Sequence, residues 1–234
     1  RFKSGLLGAV PIVKAGNRGG AGDASAAGEA NLALATVQVQ SKQALLLDPF
    51  AAEFGADEVT ALASTMQKTK CPAYTVNHGV NEKADFRWLR NLYQYGIVAI
   101  ASHGDALFGE LGATAKAGYD WRHPGAQEVV WTGHKIKCEY FGGATSGAKC
   151  SETVPCGPES ECFINESGGK GVCVDHLTAD VRRGRVVLGA DGTYGILPAF
   201  VKRHAEEPFP RSLVYLGACR SLWNGSMAGE LFAA

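Results

Sequence analysis

From Gln43 onward, short continuous apolar runs alternate with segments of helical periodicity, and each run is closed by a turn-forming pair or a small polar residue. Ala44 to Leu47 is apolar without a break and ends at Asp48-Pro49. Asp57 to Lys68 carries Val59, Leu62, Ala63 and Met66 at helical spacing. Tyr74-Thr75-Val76 is a second short strand, stopped by Asn77 and Gly79. Lys83 to Tyr93 sets Phe86, Leu89, Leu92 and Tyr93 on one helical face, and Gly96 to Ala101 is a third apolar run. Unbroken apolar strands separated by amphipathic helices are the signature of a parallel sheet covered on both faces, joined by right-handed crossovers. The expected fold class is therefore α/β, a three-layer arrangement around a mostly parallel sheet.

The rhythm breaks after residue 127. Glu128 to Lys137 (EVVWTGHKIK) reads as a hairpin turning at Thr132-Gly133, and 138–176 is a Cys-rich stretch. It resumes with a strand over Arg185 to Leu188, a turn at Asp191-Gly192 and a helix near Ile196 to His204. Strand Ser212 to Leu216 and helix Ser226 to Ala233 follow. The expected organisation is an N-terminal arm and entry segment over 1–40, rich in Gly and Ala. A core of 41–127 and 177–234 and an insert of 128–176 complete it. Ala30 to Gln40 fits either a helix or a first strand, and no internal repeat is evident.

Lys plus Arg and Asp plus Glu both total 23, so formal net charge is zero and no electrostatic case for nucleic acid or an anionic membrane follows. No apolar run approaches the roughly 20 residues of a membrane-spanning helix. The chain begins at Arg1 rather than Met, which suggests a processed product or an excised fragment.

Five of the seven cysteines fall between 138 and 173, at intervals of 12, 6, 6 and 11 positions, and the others are Cys71 and Cys219. Zinc sites favour Cys-x2-Cys pairs, which the cluster lacks, so disulfides in an oxidising compartment are favoured over metal. The odd total leaves at least one thiol unpaired.

Two apolar strands each deliver a reactive side chain. GIVAIA runs into Ser102-His103-Gly104, and SLVYL runs into Gly217-Ala218-Cys219. Substrates of open parallel sheets bind where strands end at their carboxyl edge. Cysteine attacks as thiolate, and an adjacent imidazole serves as its acid/base partner. Small residues beside both groups leave room for a peptide backbone, and the N–H groups of Gly104 and Cys219 are candidates to face a developing oxyanion. His78-Gly79 also follows a short strand, but its apolar run is shorter. His123, His134, His176 and His204 have no matched partner and are expected at the surface; Trp88, Trp121, Trp131 and Trp223 are expected in core or loop packing, and Trp223 with Asn224 is a candidate pocket lining.

The segments IVAIASHGD and LVYLGACRS resemble the two motifs of the caspase–hemoglobinase clan of cysteine peptidases, which holds caspases, metacaspases, legumain, gingipains, clostripain and separase. The order of elements from Gln43 to Ala234 is similar too. The resemblance implies a cysteine endopeptidase with Cys219 as nucleophile, His103 as its partner base and Gly104 as an oxyanion-hole amide. Gly217 and Ser221 depart from the Gln-Ala-Cys-x-Gly form of caspases. The two motifs lie 116 positions apart (219 − 103), against about 50 in caspases. Taking out roughly 120–180 brings the separation to about 55, and loop insertions of this kind cost little.

In relatives that cut after Arg, an acidic residue can precede Ala-Cys. Gly217 has no such side chain, and Asp48, at the end of the first strand, is the candidate to hold a basic substrate group. Cys150-x5-Cys156-x5-Cys162-x10-Cys173 resembles the first four cysteines of an epidermal-growth-factor-like module, which implies the pairs Cys150–Cys162 and Cys156–Cys173. Cys71 and Cys138 are left as a third pair and Cys219 as the free thiol.

The expected function is thus peptide-bond cleavage on a peptide or protein substrate in an extracytoplasmic setting, secreted or on a cell surface, of bacterial type. No organic or redox cofactor and no metal is expected; calcium occurs in some relatives, but no ligand cluster here argues for it. Two other functions fit the same residues. One is a catalytically inactive binding or adhesion module that uses the Cys-rich insert to contact a protein or glycan. The other is a different Cys-dependent hydrolase or acyltransferase. The chain ends 15 residues after Cys219 (234 − 219), which the resemblance reads as a truncated or processed domain.

Overall fold

The structure is a computed structural model that describes residues 39–55, 57–70, 73–108, 126–136, 145–151, 153–158, 160–164, 171–205, 207, 209–220 and 224–233. The fold is mixed α/β. Four strands, β1 (Gln43–Asp48), β2 (Thr75–Val80), β3 (Ile97–Ser102) and β11 (Leu213–Ala218), form a parallel sheet in the order β11-β3-β1-β2.

Both faces of the two central strands, β1 and β3, are covered, which is why these two read as unbroken apolar runs. Alternation sends Leu45, Leu47, Val98 and Ile100 to one face, where they join Phe86, Leu89, Phe200, Val201 and Met227. It sends Ala44, Leu46, Ala99 and Ala101 to the other, against Val59, Ala63 and Met66 of helix α2 (Glu58–Lys68). Those three residues recur at helical spacing, and Asp57 caps the helix by accepting from the N–H of Val59 and Thr60 at 2.9 and 3.1 Å.

The remaining described strands are antiparallel, so the mostly parallel expectation holds for the first sheet alone. A second four-stranded sheet runs β4-β5-β10-β9, from β4 (Gly104–Phe108), β5 (Ala126–Lys135), β9 (Val186–Leu188) and β10 (Thr193–Ile196). A third, small sheet, β6-β8-β7, comprises β6 (Thr145–Cys150), β7 (Ser160–Phe163) and β8 (Gly171–Asp175).

The hairpin expected at Thr132-Gly133 is absent: β5 passes straight through it and pairs with β4 and β10. Gly133 answers a packing need instead. A Cβ there would come 1.8 Å from the carbonyl oxygen of Asn81, so only glycine admits the 3₁₀ turn Asn81–Lys83 against the strand.

Asn77 and Gly79 do not stop β2, which runs on to Val80, because β1 supplies partners along its whole length. The helix expected from Lys83 to Tyr93 is broken into that 3₁₀ turn, one α turn α3 (Phe86–Leu89) and a 3₁₀ turn Leu92–Gln94. Asp85 starts α3 anew by accepting from the Arg87 N–H at 2.9 Å. The apolar face survives the break, with Phe86, Leu89 and Leu92 all buried.

Helices α4 (His176–Arg182), α5 (Pro198–His204) and α6 (Ser226–Ala233) complete the elements used below. His204 is not at the surface. It is 7% exposed and its Nε2 lies 3.1 Å from Oδ2 of the fully buried Asp180. Arg185 forms an ion pair with Asp180, its Nε lying 2.6 Å from Oδ1, while Arg185 Nη2 donates to Glu161 of β7 at 2.7 Å. These contacts join the Cys-rich sheet to α4 through the Glu161–Arg185–Asp180 ion pairs and to α5 through His204. Cys150–Cys162 and Cys156–Cys173 are disulfides, the pairs that the growth-factor-like spacing implied. Cys71 and Cys138 lie outside the described residues, as do His123, Trp121, Trp223, Ser221 and the 1–38 portion of the arm. No helix among the described residues is long and apolar enough to cross a membrane.

Candidate functional site

The carboxyl edge of the parallel sheet is where sequence and geometry meet. β3 and β11 run side by side and their last paired residues are Ser102 and Ala218. His103 and Cys219 are therefore each the first residue past the same rung of two adjacent strands, whose spacing is about 4.8 Å.

The chain after His103 turns close against the chain at Cys219. A Cβ on Gly104 would come 1.9 Å from the carbonyl oxygen of Cys219 and 3.2 Å from Cβ of Ala218, so this approach needs glycine. One residue further along, Arg220 Nη1 meets Asp105 Oδ1 at 2.9 Å, a second link between the two segments. Arg220 has φ of 59°, the left-handed region, so the chain bends sharply just past the thiol. Cys219 is exposed and is the free thiol among the described residues.

His103 is held by a short helix that sequence reasoning passed over, α1 (Ala51–Phe54). Its imidazole packs against the rings of Phe50 and Phe54, with centroids at 4.5 and 4.6 Å, and Nε2 lies 3.2 Å from Oε1 of Glu53. Phe50, Glu53 and Phe54 sit at i, i+3 and i+4, the spacing that puts three side chains on one helical face. That spacing follows Asp48-Pro49 directly in the sequence and was the available signal. The arrangement fixes the ring plane and leaves Nδ1 as the nitrogen not engaged by Glu53, a carboxylate–imidazole orientation of the kind that prepares a histidine for proton transfer.

The other site residues fall as follows. Asp48 does not reach the open edge: it is fully buried, its Oδ2 accepts from Thr60 Oγ1 at 3.1 Å and its Oδ1 has no donor among the described residues. Burial, and then the neighbouring Asp57 carboxyl, push its pKa above the usual carboxylate value. The last rung of β1 turns it inward under α2, so the expectation that it holds a substrate group is corrected.

Gly217 does lie beside the edge, and the space its missing side chain leaves is taken by Tyr215 and Glu58. A Cβ there would come 2.9 Å from the Tyr215 hydroxyl and 3.2 Å from Glu58 Oε1. His78 lies within β2, one strand outside β1, and is set apart from β11. Asn224 is tied to β5: its N–H and side-chain amide donate to Glu128 Oε1 and the Ala126 carbonyl at 2.8 and 2.7 Å.

Glu128 also escaped the sequence reading. It is fully buried in β5 and gathers Asn224, Gly225 and the start of α6. Oε1 accepts from the N–H of Asn224 and Gly225 at 2.8 and 3.2 Å, and Oε2 from the N–H of Met227 at 2.8 Å. A carboxylate so placed satisfies the orphan donors at the start of α6 and matches its dipole.

In the small sheet, the sulfurs of Cys150, Cys156 and Cys173 lie within 4.8 Å of one another. All three are in disulfides and so offer no thiolate to a metal. Compared with protein-family models, curated proteins and solved structures, the chain matches none.

Proposed function

We propose that the chain is a cysteine endopeptidase of caspase-like three-layer architecture in which Cys219 is the nucleophile and His103 its acid/base. The observation that carries this reading is the shared register of β3 and β11, which ends both strands on one rung and leaves an imidazole and a free, exposed thiol as the next residues of each. Glu53, Phe50 and Phe54 add an orienting cradle for the imidazole.

In the reaction so assigned, the Cys219 thiolate bonds to the scissile carbonyl carbon and the N–H groups of Gly104 and Cys219 face the oxyanion. The C–N bond breaks as the leaving amine takes a proton from the His103 imidazolium. Water then attacks the thioester, gives a proton to His103, and releases the acid and the thiolate. Every proton and electron pair in this sequence is carried by the chain or by water, so no cofactor enters it. The two disulfides support an extracytoplasmic setting, and the substrate is a peptide or protein.

The test is iodoacetamide labelling followed by peptide mapping at Cys219, with a peptide-library cleavage profile. Labelling is expected to be fast at neutral pH and to fall at least tenfold in His103→Ala, with cleavage abolished in Cys219→Ser. Slow labelling indifferent to His103 would instead mark a non-catalytic binding module. His103-dependent labelling without peptide cleavage would mark another Cys-dependent hydrolase or acyltransferase.

A further inference from the structure

We propose, resting on the peptidase reading, that Glu58 is the specificity-determining carboxylate of this site. It selects a lysine or arginine as the substrate residue whose carbonyl Cys219 attacks. The argument begins with alternation along β11. Val214 and Leu216 pack into the core cluster with Phe86 and Met227. Tyr215 and Gly217 therefore face the other side of the sheet, where α2 lies.

Glu58, the first residue of α2, meets them there. The Tyr215 hydroxyl donates to Glu58 Oε1 at 2.6 Å, and the same oxygen stands 3.2 Å from where a Cβ on residue 217 would be. A carboxylate carried by a neighbouring helix thus occupies the seat that a side chain on Gly217 would fill. It is two residues before the nucleophile, or about 7 Å along an extended strand. That is the reach of an extended lysine or arginine side chain whose carbonyl sits at Cys219.

The surroundings favour a cation over any other side chain. Tyr215 is 43% exposed, so its ring offers an apolar rail for the stem of a long cationic side chain. Hydrogen bonding to Glu58 pushes the Tyr215 phenol up to about 12, so it stays protonated and keeps donating to Glu58 Oε1 through the neutral range. Glu58 Oε2 has no protein donor among the described residues and is left to solvent or ligand.

Behind Glu58, Asp57 caps α2 and lies beside Asp48, whose buried Oδ1 has no donor among the described residues. Glu53 adds a further carboxylate at His103, whereas the nearby Arg220 is engaged by Asp105. Among the described residues, an incoming cation therefore meets an excess of negative charge and an incoming anion is repelled.

The experiment uses peptidyl acyloxymethyl ketones that differ only at the residue beside the reactive ketone, arginine, its neutral isostere citrulline, or glutamate. Covalent labelling of Cys219 is read by intact mass. Arginine is expected to outrun citrulline about thirtyfold, the size of one charge-assisted hydrogen bond. That ratio should fall to near one in Glu58→Gln, and Glu58→Arg should favour glutamate over arginine. An arginine-to-citrulline ratio near one in the wild type, or one unchanged in Glu58→Gln, overturns this proposal. His103-dependent iodoacetamide labelling would still leave the peptidase reading standing. Loss of that His103 dependence would remove both.

Discussion

Gly104 and Cys219 are in backbone contact: no side chain fits at residue 104, because its first carbon would lie 1.9 Å from the Cys219 carbonyl oxygen. The residue after the imidazole and the residue bearing the thiol thereby hold each other in place, although more than a hundred positions separate them in the chain.

Gly104→Ala tests that contact. The obstacle is backbone, not the end of a flexible side chain, so one segment must move. The expected cost is about 1–3 kcal/mol of stability, measured by chemical denaturation. Displacing the thiol by about 1 Å is expected to lower His103-dependent labelling about a hundredfold. Full retention of labelling would mean the contact does not position the thiol.

Glu128→Ala leaves the N–H groups of Asn224, Gly225 and Met227 without their shared acceptor. Each is a donor at or near the start of α6, and losing the acceptor is expected to cost about 3 kcal/mol or more in urea unfolding. Glu128→Gln keeps one acceptor oxygen but turns an amide toward an N–H, so it should fall between wild type and Ala.

Asp48→Asn keeps an acceptor for Thr60 and removes a buried charge. The folded-state pKa of Asp48 is raised above 3.8, chiefly by burial and then by Asp57, so its charged form is the disfavoured one. Its contribution to stability is present below the unfolded value and is lost as pH rises through the folded value. The variant is therefore expected to melt higher than wild type at pH 7, with the gain shrinking toward pH 4. A variant less stable at pH 7 would show that Asp48 is charged and paired.

Removing Cys156–Cys173, which spans 17 positions, by double substitution to serine is expected to weaken the small β6-β8-β7 sheet by about 3 kcal/mol. Limited proteolysis should then cut within 150–175 faster than in the wild type, and reduction of the wild type should reproduce the pattern. Equal cutting rates would mean the ion chain through Glu161 and Asp180 holds the sheet by itself.

Much of the architecture is legible in the sequence. The strands around Ala44–Leu47, Gly96–Ala101 and Ser212–Leu216, the helix after Asp57 and the last helix all stand close to where periodicity put them, because each is a local pattern buried on a definite face. The failures have separate causes, one distant in the chain and one local. Thr132-Gly133 carries turn chemistry, yet Gly133 is small because Asn81 presses on it from a distant part of the chain. Lys83 to Tyr93 has a helical apolar stripe, yet Asp85 restarts the backbone inside it.

What the sequence determined by itself was the set of buried faces, the order of elements and the pair of apolar strands that run into His103 and Cys219, all properties of neighbouring residues. Only the tertiary structure decided the rung on which β3 and β11 end together, the burial of Asp48, the Glu53 oxygen at His103 and the Glu58 carboxylate in the seat of Gly217. Each of those depends on the register and tilt of segments far apart in the chain, and no local periodicity encodes how two such segments meet.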